Sequence, residues 1–184
     1  MNINIETMRH YQAPNNLLAE RVILVTGASD GIGSVAAKTY AQLGATVLLL
    51  GRDLKKLEAV YDEIEAAGGA QPAIIPLNFS AAIAAEFEQL AINIEQEFGR
   101  LDGILHCAAI LGDITPLEMY NLDTWDEVMK VNLRAPFMLT QQLLPLLKKA
   151  PDASIIFMSS SVGRQARAFW GAYAVSKAGI ENLT

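Results

Sequence analysis

The chain alternates short apolar runs with longer stretches whose apolar residues recur at helical spacing. Arg21–Thr26 is continuous, apolar and rich in β-branched residues, the pattern of a strand buried on both faces. Similar runs follow at Thr46–Leu50, Ala73–Asn78, Leu101–Cys107 and Ser154–Ser159. Between them, Lys55–Ala67 puts Leu57, Val60 and Ile64 on one face, and Ala81–Phe98 does the same with Ile83, Phe87, Leu90, Ile94 and Phe98. Leu122–Lys149 turns Trp125, Val128, Met129, Leu133 and Phe137 inward, and Pro136 and Pro145 are expected to kink or divide it. Ser34–Gly44 and Tyr173–Thr184 also read as helices. Strands alternating with such helices predict an α/β fold, a Rossmann-type doubly wound parallel sheet with helices on both faces. In that order Ser154–Ser159 becomes an open edge. Residues 1–16 read as a loose lead-in, and with no repeat or linker the expectation is one domain over 1–184.

Composition narrows the function classes. Apolar residues make up 52% of the 184 residues and charged residues 18%, which argues for a globular, soluble chain. A net charge of −6 with no basic stripe argues against nucleic acid as a partner. No apolar run approaches the ~20 residues of a membrane span. One cysteine, Cys107, rules out an internal disulfide and fits a reducing cytoplasm, and at a strand end it reads as a small buried filler. The two histidines, His10 and His106, are too isolated for a metal site.

The first strand runs into Gly27-Ala28-Ser29-Asp30-Gly31-Ile32-Gly33 and then into a helix. Strand, glycine loop, helix is the setting in which a pyrophosphate rests on free helix N–H groups. The glycines are spaced Gly-x-x-x-Gly-x-Gly, one residue wider at the start than the Gly-x-Gly-x-x-Gly pattern. After the second strand comes Gly51-Arg52-Asp53. An acid there would take a ribose 2′-hydroxyl; Arg52 instead offers a planar fork suited to a phosphate, so NADP(H) is favoured over NAD(H). Asp53 is a candidate N-cap of the next helix.

Near the end, Tyr173 and Lys177 stand four apart, on one face of a helix. An unperturbed phenol has a pKa of about 10, and a cation held about 4–6 Å away favours the phenolate. The chemistry this predicts is general acid–base catalysis at a carbonyl or alcohol.

Together these features resemble the short-chain dehydrogenase/reductase family, from roughly Leu18 to Thr184. The matching stretches are Thr26–Gly33, Val131-Asn132-Leu133, Ser159–Gly163 and Tyr173-Ala174-Val175-Ser176-Lys177, and Ser159–Trp170 is similar to a bacterial oxidoreductase branch of that family. The resemblance implies Tyr173 as acid/base and Lys177 as the group that tunes it and holds the nicotinamide ribose. It implies Ser160 as the partner of the substrate oxygen and Asn132 as the residue positioning a relay water. The cofactor set it implies is Gly27, Ser29, Asp30, Gly31, Ile32, Gly33, Arg52, Asn78 and Ala108, with Tyr173 and Lys177. It also implies a small carbonyl or alcohol substrate and a homodimer or homotetramer.

Two departures bear on this. The family's Asn-Asn-Ala-Gly is His106-Cys107-Ala108-Ala109, and its usual Asp after the third strand is Asn78, whose amide oxygen can accept from an adenine amine. Substrate-side loops are expected at Leu111–Leu117 and Gly163–Trp170, with Phe169 and Trp170 offering aromatic faces and Arg164 and Arg167 offering charge. Because members continue past this helix, the expectation is that a C-terminal portion is absent. A nucleotide-binding module without catalysis and an inactive fragment are the alternative readings.

Overall fold

The computed structural model describes residues 11–183; the part of the predicted lead-in before residue 11 lies outside them. Five strands form one parallel sheet in the order β3-β2-β1-β4-β5. They are β1 (Val22–Thr26), β2 (Thr46–Gly51), β3 (Ala73–Pro76), β4 (Gly103–His106) and β5 (Ser154–Phe157). β1 lies between β2 and β4, pairing Leu24 with Leu48 on one side and with Ile104 on the other.

Alternate residues of the central strands point to opposite faces, as the pleat requires. Leu24, Leu48, Leu50 and Ile104 pack on one face against α3 (Ala84–Phe98) and α5 (Ala135–Leu147), through Phe87, Leu90, Leu139 and Leu143. Ile23, Val25, Val47, Leu49 and Leu105 pack on the other against α1 (Gly31–Gln42) and α2 (Leu54–Ala66), through Ala37, Leu57, Val60 and Ile64. Each buried Leu, Ile or Val side chain contributes about 1.5–3 kcal/mol.

The chain winds outward from β1 to β3, then returns to place β4 on the other side of β1. The crevice at that reversal, beyond the strands' C-terminal ends, is where an open α/β sheet binds its ligands. β5 is the outer strand predicted, with Ser154 and Ile156 exposed.

The division expected near Pro136 is present, but Pro145 leaves its helix unbroken, and Phe137, expected inside, needs correction. The predicted helix over Leu122–Lys149 is three segments: α4 (Leu122–Met129), a π-helical turn (Lys130–Arg134) and α5. Pro136 sits in the first turn of α5, where a missing N–H costs least. Phe137 faces outward, 46% exposed, because the π turn rotates the face that follows it. The remaining predicted boundaries move by up to three residues. The shortest helix, α6 (Ser161–Arg164), and α7 (Gly171–Glu181) complete the described chain.

Candidate active site

At the nucleotide end, the loop from β1 to α1 can close only because its glycines lack side chains. Gly27 has φ +67°, and a Cβ there would lie 2.9 Å from the Ala108 backbone. A Cβ on Gly33 would lie 2.1 Å from the Gly27 carbonyl oxygen. Asp30 caps α1, its Oδ1 accepting from the Gly31 N–H at 2.8 Å. The cleft above the loop has a volume of about 480 Å³. It is bounded by Gly27, Ser29, Asp30, Gly31, Ile32 and Gly33 on one side and by Arg52, Asn78 and Ala108 on the other. Every residue predicted for the cofactor outside the Tyr–Lys helix therefore faces one cavity.

Arg52 lies exposed on the bend after β2, and Asp53 caps α2 by accepting from the Lys56 N–H at 3.2 Å. Lys56 also lines the cleft and donates to Asp30 at 2.8 Å; the sequence reading did not name it. Its place three residues past a capping Asp was the available signal. The Asn78 oxygen is partly engaged, accepting from the Ser80 N–H at 3.1 Å, so one lone pair remains for an adenine amine.

At the catalytic end, Tyr173 and Lys177 meet as their spacing predicts, the Lys177 Nζ 5.6 Å from the Tyr173 ring centroid. Lys177 is buried and donates to the Met158 carbonyl at 2.6 Å. Burial pushes the ammonium below its ordinary range, because the charged form loses water. Ser160 is the N-cap of α6, but its hydroxyl makes no capping bond. Gly163, three residues on, lets α6 lie against α7: a Cβ there would stand 3.0 Å from the Lys177 backbone.

Asn132 does not present its amide to the cleft. The Oδ1 accepts from the Ile110 N–H at 2.8 Å, and the Nδ2 donates to the Ile110 carbonyl at 2.8 Å and to the Ser176 Oγ at 3.1 Å. Ser176 donates in turn to the Tyr173 carbonyl at 2.8 Å, a link the sequence reading missed. The Asn132 backbone carbonyl lacks the usual helical donor. Pro136, four residues on, has no N–H to give it.

His106 is buried, stacked on Phe157 at 4.6 Å, and paired through Nε2 with the Thr140 Oγ1 at 2.9 Å. Its Nδ1 has no partner, and burial lowers its pKa to about 3, so it stays neutral. Cys107 is half-buried and lines the cleft. Burial raises its thiol, partly opposed by the Lys177 charge.

On the substrate side, the Thr115 N–H donates to the Phe169 carbonyl at 3.2 Å, joining the two loops read as pocket walls. Phe169 has φ +74°, rare for a bulky residue. Trp170 leans on Tyr173 with ring centroids 5.9 Å apart. Arg164 is not free for a substrate: it grips Glu181 at 2.8 and 3.0 Å. Among the described residues no cluster suits a metal ion, and no helix is long and apolar enough to cross a membrane.

The glycine-lined crevice thus lies at the reversal point of a doubly wound sheet, and the Tyr–Lys pair stands on α7. The family model for short chain dehydrogenases matches residues 21–184, and the chain belongs to that family. It is 52% identical to the uncharacterized oxidoreductase YciK of Escherichia coli, covering 95% of this chain and 69% of that one. A short chain dehydrogenase from Pseudomonas syringae superposes with a TM-score of 0.92 at 55% identity, covering 94% of this chain and 72% of that one. An Escherichia coli short chain dehydrogenase solved with NADPH superposes at 0.91 and 50% identity, covering 93% of this chain and 71% of that one.

Proposed function

We propose that this chain is the nucleotide-binding and catalytic part of an NADP(H)-dependent oxidoreductase that interconverts a carbonyl and an alcohol on a small molecule. The observation that carries the reading is the buried Lys177 ammonium packed against the Tyr173 ring and felt by Cys107, which lines the glycine-walled cleft. Arg52 and Lys56 at the ribose side favour a phosphorylated nucleotide, as does the NADPH complex of the Escherichia coli relative. When bound, the nicotinamide supplies or accepts the hydride.

Tyr173 gives or takes the proton on the substrate oxygen, and Ser160, its hydroxyl free of any capping bond, holds that oxygen. Lys177, fixed by the Met158 carbonyl, keeps a positive charge beside the phenol and offers donors to the nicotinamide ribose. Asn132 fixes the Ile110 backbone through its side chain, and its main chain holds the relay water.

The fold is read as one domain. Exposed apolar residues on α5 and α7, Phe137, Leu144 and Val175, support a homodimer or homotetramer through those helices. A single thiol fits a reducing, cytoplasmic setting. Tyr173→Phe tests the mechanism. NADPH fluorescence titration should be unchanged while carbonyl-dependent NADPH oxidation falls by about 10²-fold or more. Equal turnover in the variant removes Tyr173 from the chemistry.

A further inference from the structure

One charged feature of the cleft has no part in the proton chemistry. Asp30 accepts from the Gly31 N–H through Oδ1 and from Lys56 Nζ through Oδ2, both at 2.8 Å. The pair ties the start of α1 to the first turn of α2 across the ribose side of the cleft, beside Arg52. The side chains are 75% and 56% exposed, so water screens the pair and it exchanges easily. Arg52 makes no ion pair among the described residues, and its charge opposes that of Lys56. Two cations thus face one corner of the cavity; Asp30 is bonded to one of them, and Asp53, engaged as the cap of α2, is the other carboxylate on that wall.

We propose that Asp30 and Lys56 form a latch that opens for the nucleotide's 2′-phosphate, making Lys56 a second determinant of NADP(H) preference beside Arg52. The inference rests on the NADP(H) reading above. A phosphate monoester carries about −1.5 to −2 charge and three acceptor oxygens. Placed between the Arg52 fork and the Lys56 ammonium, it outcompetes a carboxylate of charge −1. Asp30 keeps its hold on the Gly31 N–H while releasing Lys56. A 2′-hydroxyl carries no such charge and leaves the pair closed. Asp30 therefore weakens NADP(H) binding and eases its release, with little effect on NAD(H).

The test is a double-mutant cycle read by fluorescence titration with NADPH and, separately, NADH. Lys56→Gln weakens NADPH about tenfold and leaves NADH within about twofold, the loss of one charge-assisted bond. Lys56→Arg keeps the preference. Asp30→Asn, which retains the capping oxygen, tightens NADPH several-fold, and this gain vanishes in the Lys56→Gln background. If Lys56→Gln weakens both nucleotides equally, or leaves NADPH unchanged, Lys56 does not read the phosphate. A gain from Asp30→Asn that persists in the Lys56→Gln background reduces Asp30 to plain repulsion, and the latch is overturned. A wild-type chain that binds neither nucleotide overturns the NADP(H) reading together with the latch.

Discussion

The glycine-lined cleft is bounded by main chain and by charges that water reaches, whereas around the Tyr–Lys pair buried side chains hold one another in place. The first region uses three glycines, a helix start and the exposed set of Asp30, Arg52 and Lys56. The second uses Asn132, Ser176 and Lys177, all buried, each bonded to a main-chain atom or to its neighbour in the set. The difference separates binding from stability. Exposed charges exchange with solvent, so removing one changes affinity and little else. A buried polar group left without its partner destabilises the whole fold.

His106 should give the largest effect. It is neutral in the fold, with a pKa of about 3 against 6.5 in an unfolded chain. Between those values the unfolded state holds the extra proton, so stability falls as pH falls from about 6.5 to about 3. The loss totals roughly 4–5 kcal/mol, complete below about pH 3. Urea unfolding at stepped pH reads it, and His106→Asn should flatten that limb. An unchanged slope would mean that His106 titrates in the fold as it does in water.

Asn132→Leu comes next, because it strands both polar groups of the Ile110 backbone. The cost should be about 2–4 kcal/mol by urea unfolding. A loss below about 0.5 kcal/mol would show the π turn to be held by packing alone.

Gly33→Ala forces a methyl into the Gly27 carbonyl, and the overpacking costs about 1–3 kcal/mol. NADPH binding should disappear even where the variant is fully folded by circular dichroism. Retained binding would show that the loop has a second conformation able to take the nucleotide.

Arg52→Ala should change stability least, leaving the urea midpoint unmoved. Its NADPH affinity should fall about tenfold while its NADH affinity holds. A fall in both nucleotides would erase the contrast between the two ends.

The ribose side was nearly all legible in the sequence. Its glycines and the Asp53 cap act through the backbone of their own segment, and local pattern specifies local backbone. The pair Tyr173 and Lys177 was legible for the same reason, since helical spacing alone makes the two side chains neighbours. Lys56 was missed because its partner Asp30 lies on another helix, and only the return of β2 beside β1 brings them together. The role of the Asn132 amide was missed because its partners, Ile110 and Ser176, are distant along the chain. Arg164, offered by the sequence only as a charge on the substrate-side loop, stays exposed and ties its Nε to Glu181 across the α6–α7 contact.

Alternating apolar runs and amphipathic stretches determined a parallel sheet covered on both faces with its last strand at an edge, because burying a strand on two faces leaves few arrangements. Local spacing also determined the glycine cradle and the Tyr–Lys dyad. Tertiary structure decided the π turn and the direction of Phe137. It also decided the burial of His106 and the bonds that turn Asn132 toward Ile110 and Lys56 toward Asp30. Those depend on which atoms arrive opposite one another once separate segments pack, and no single stretch of chain encodes that distance.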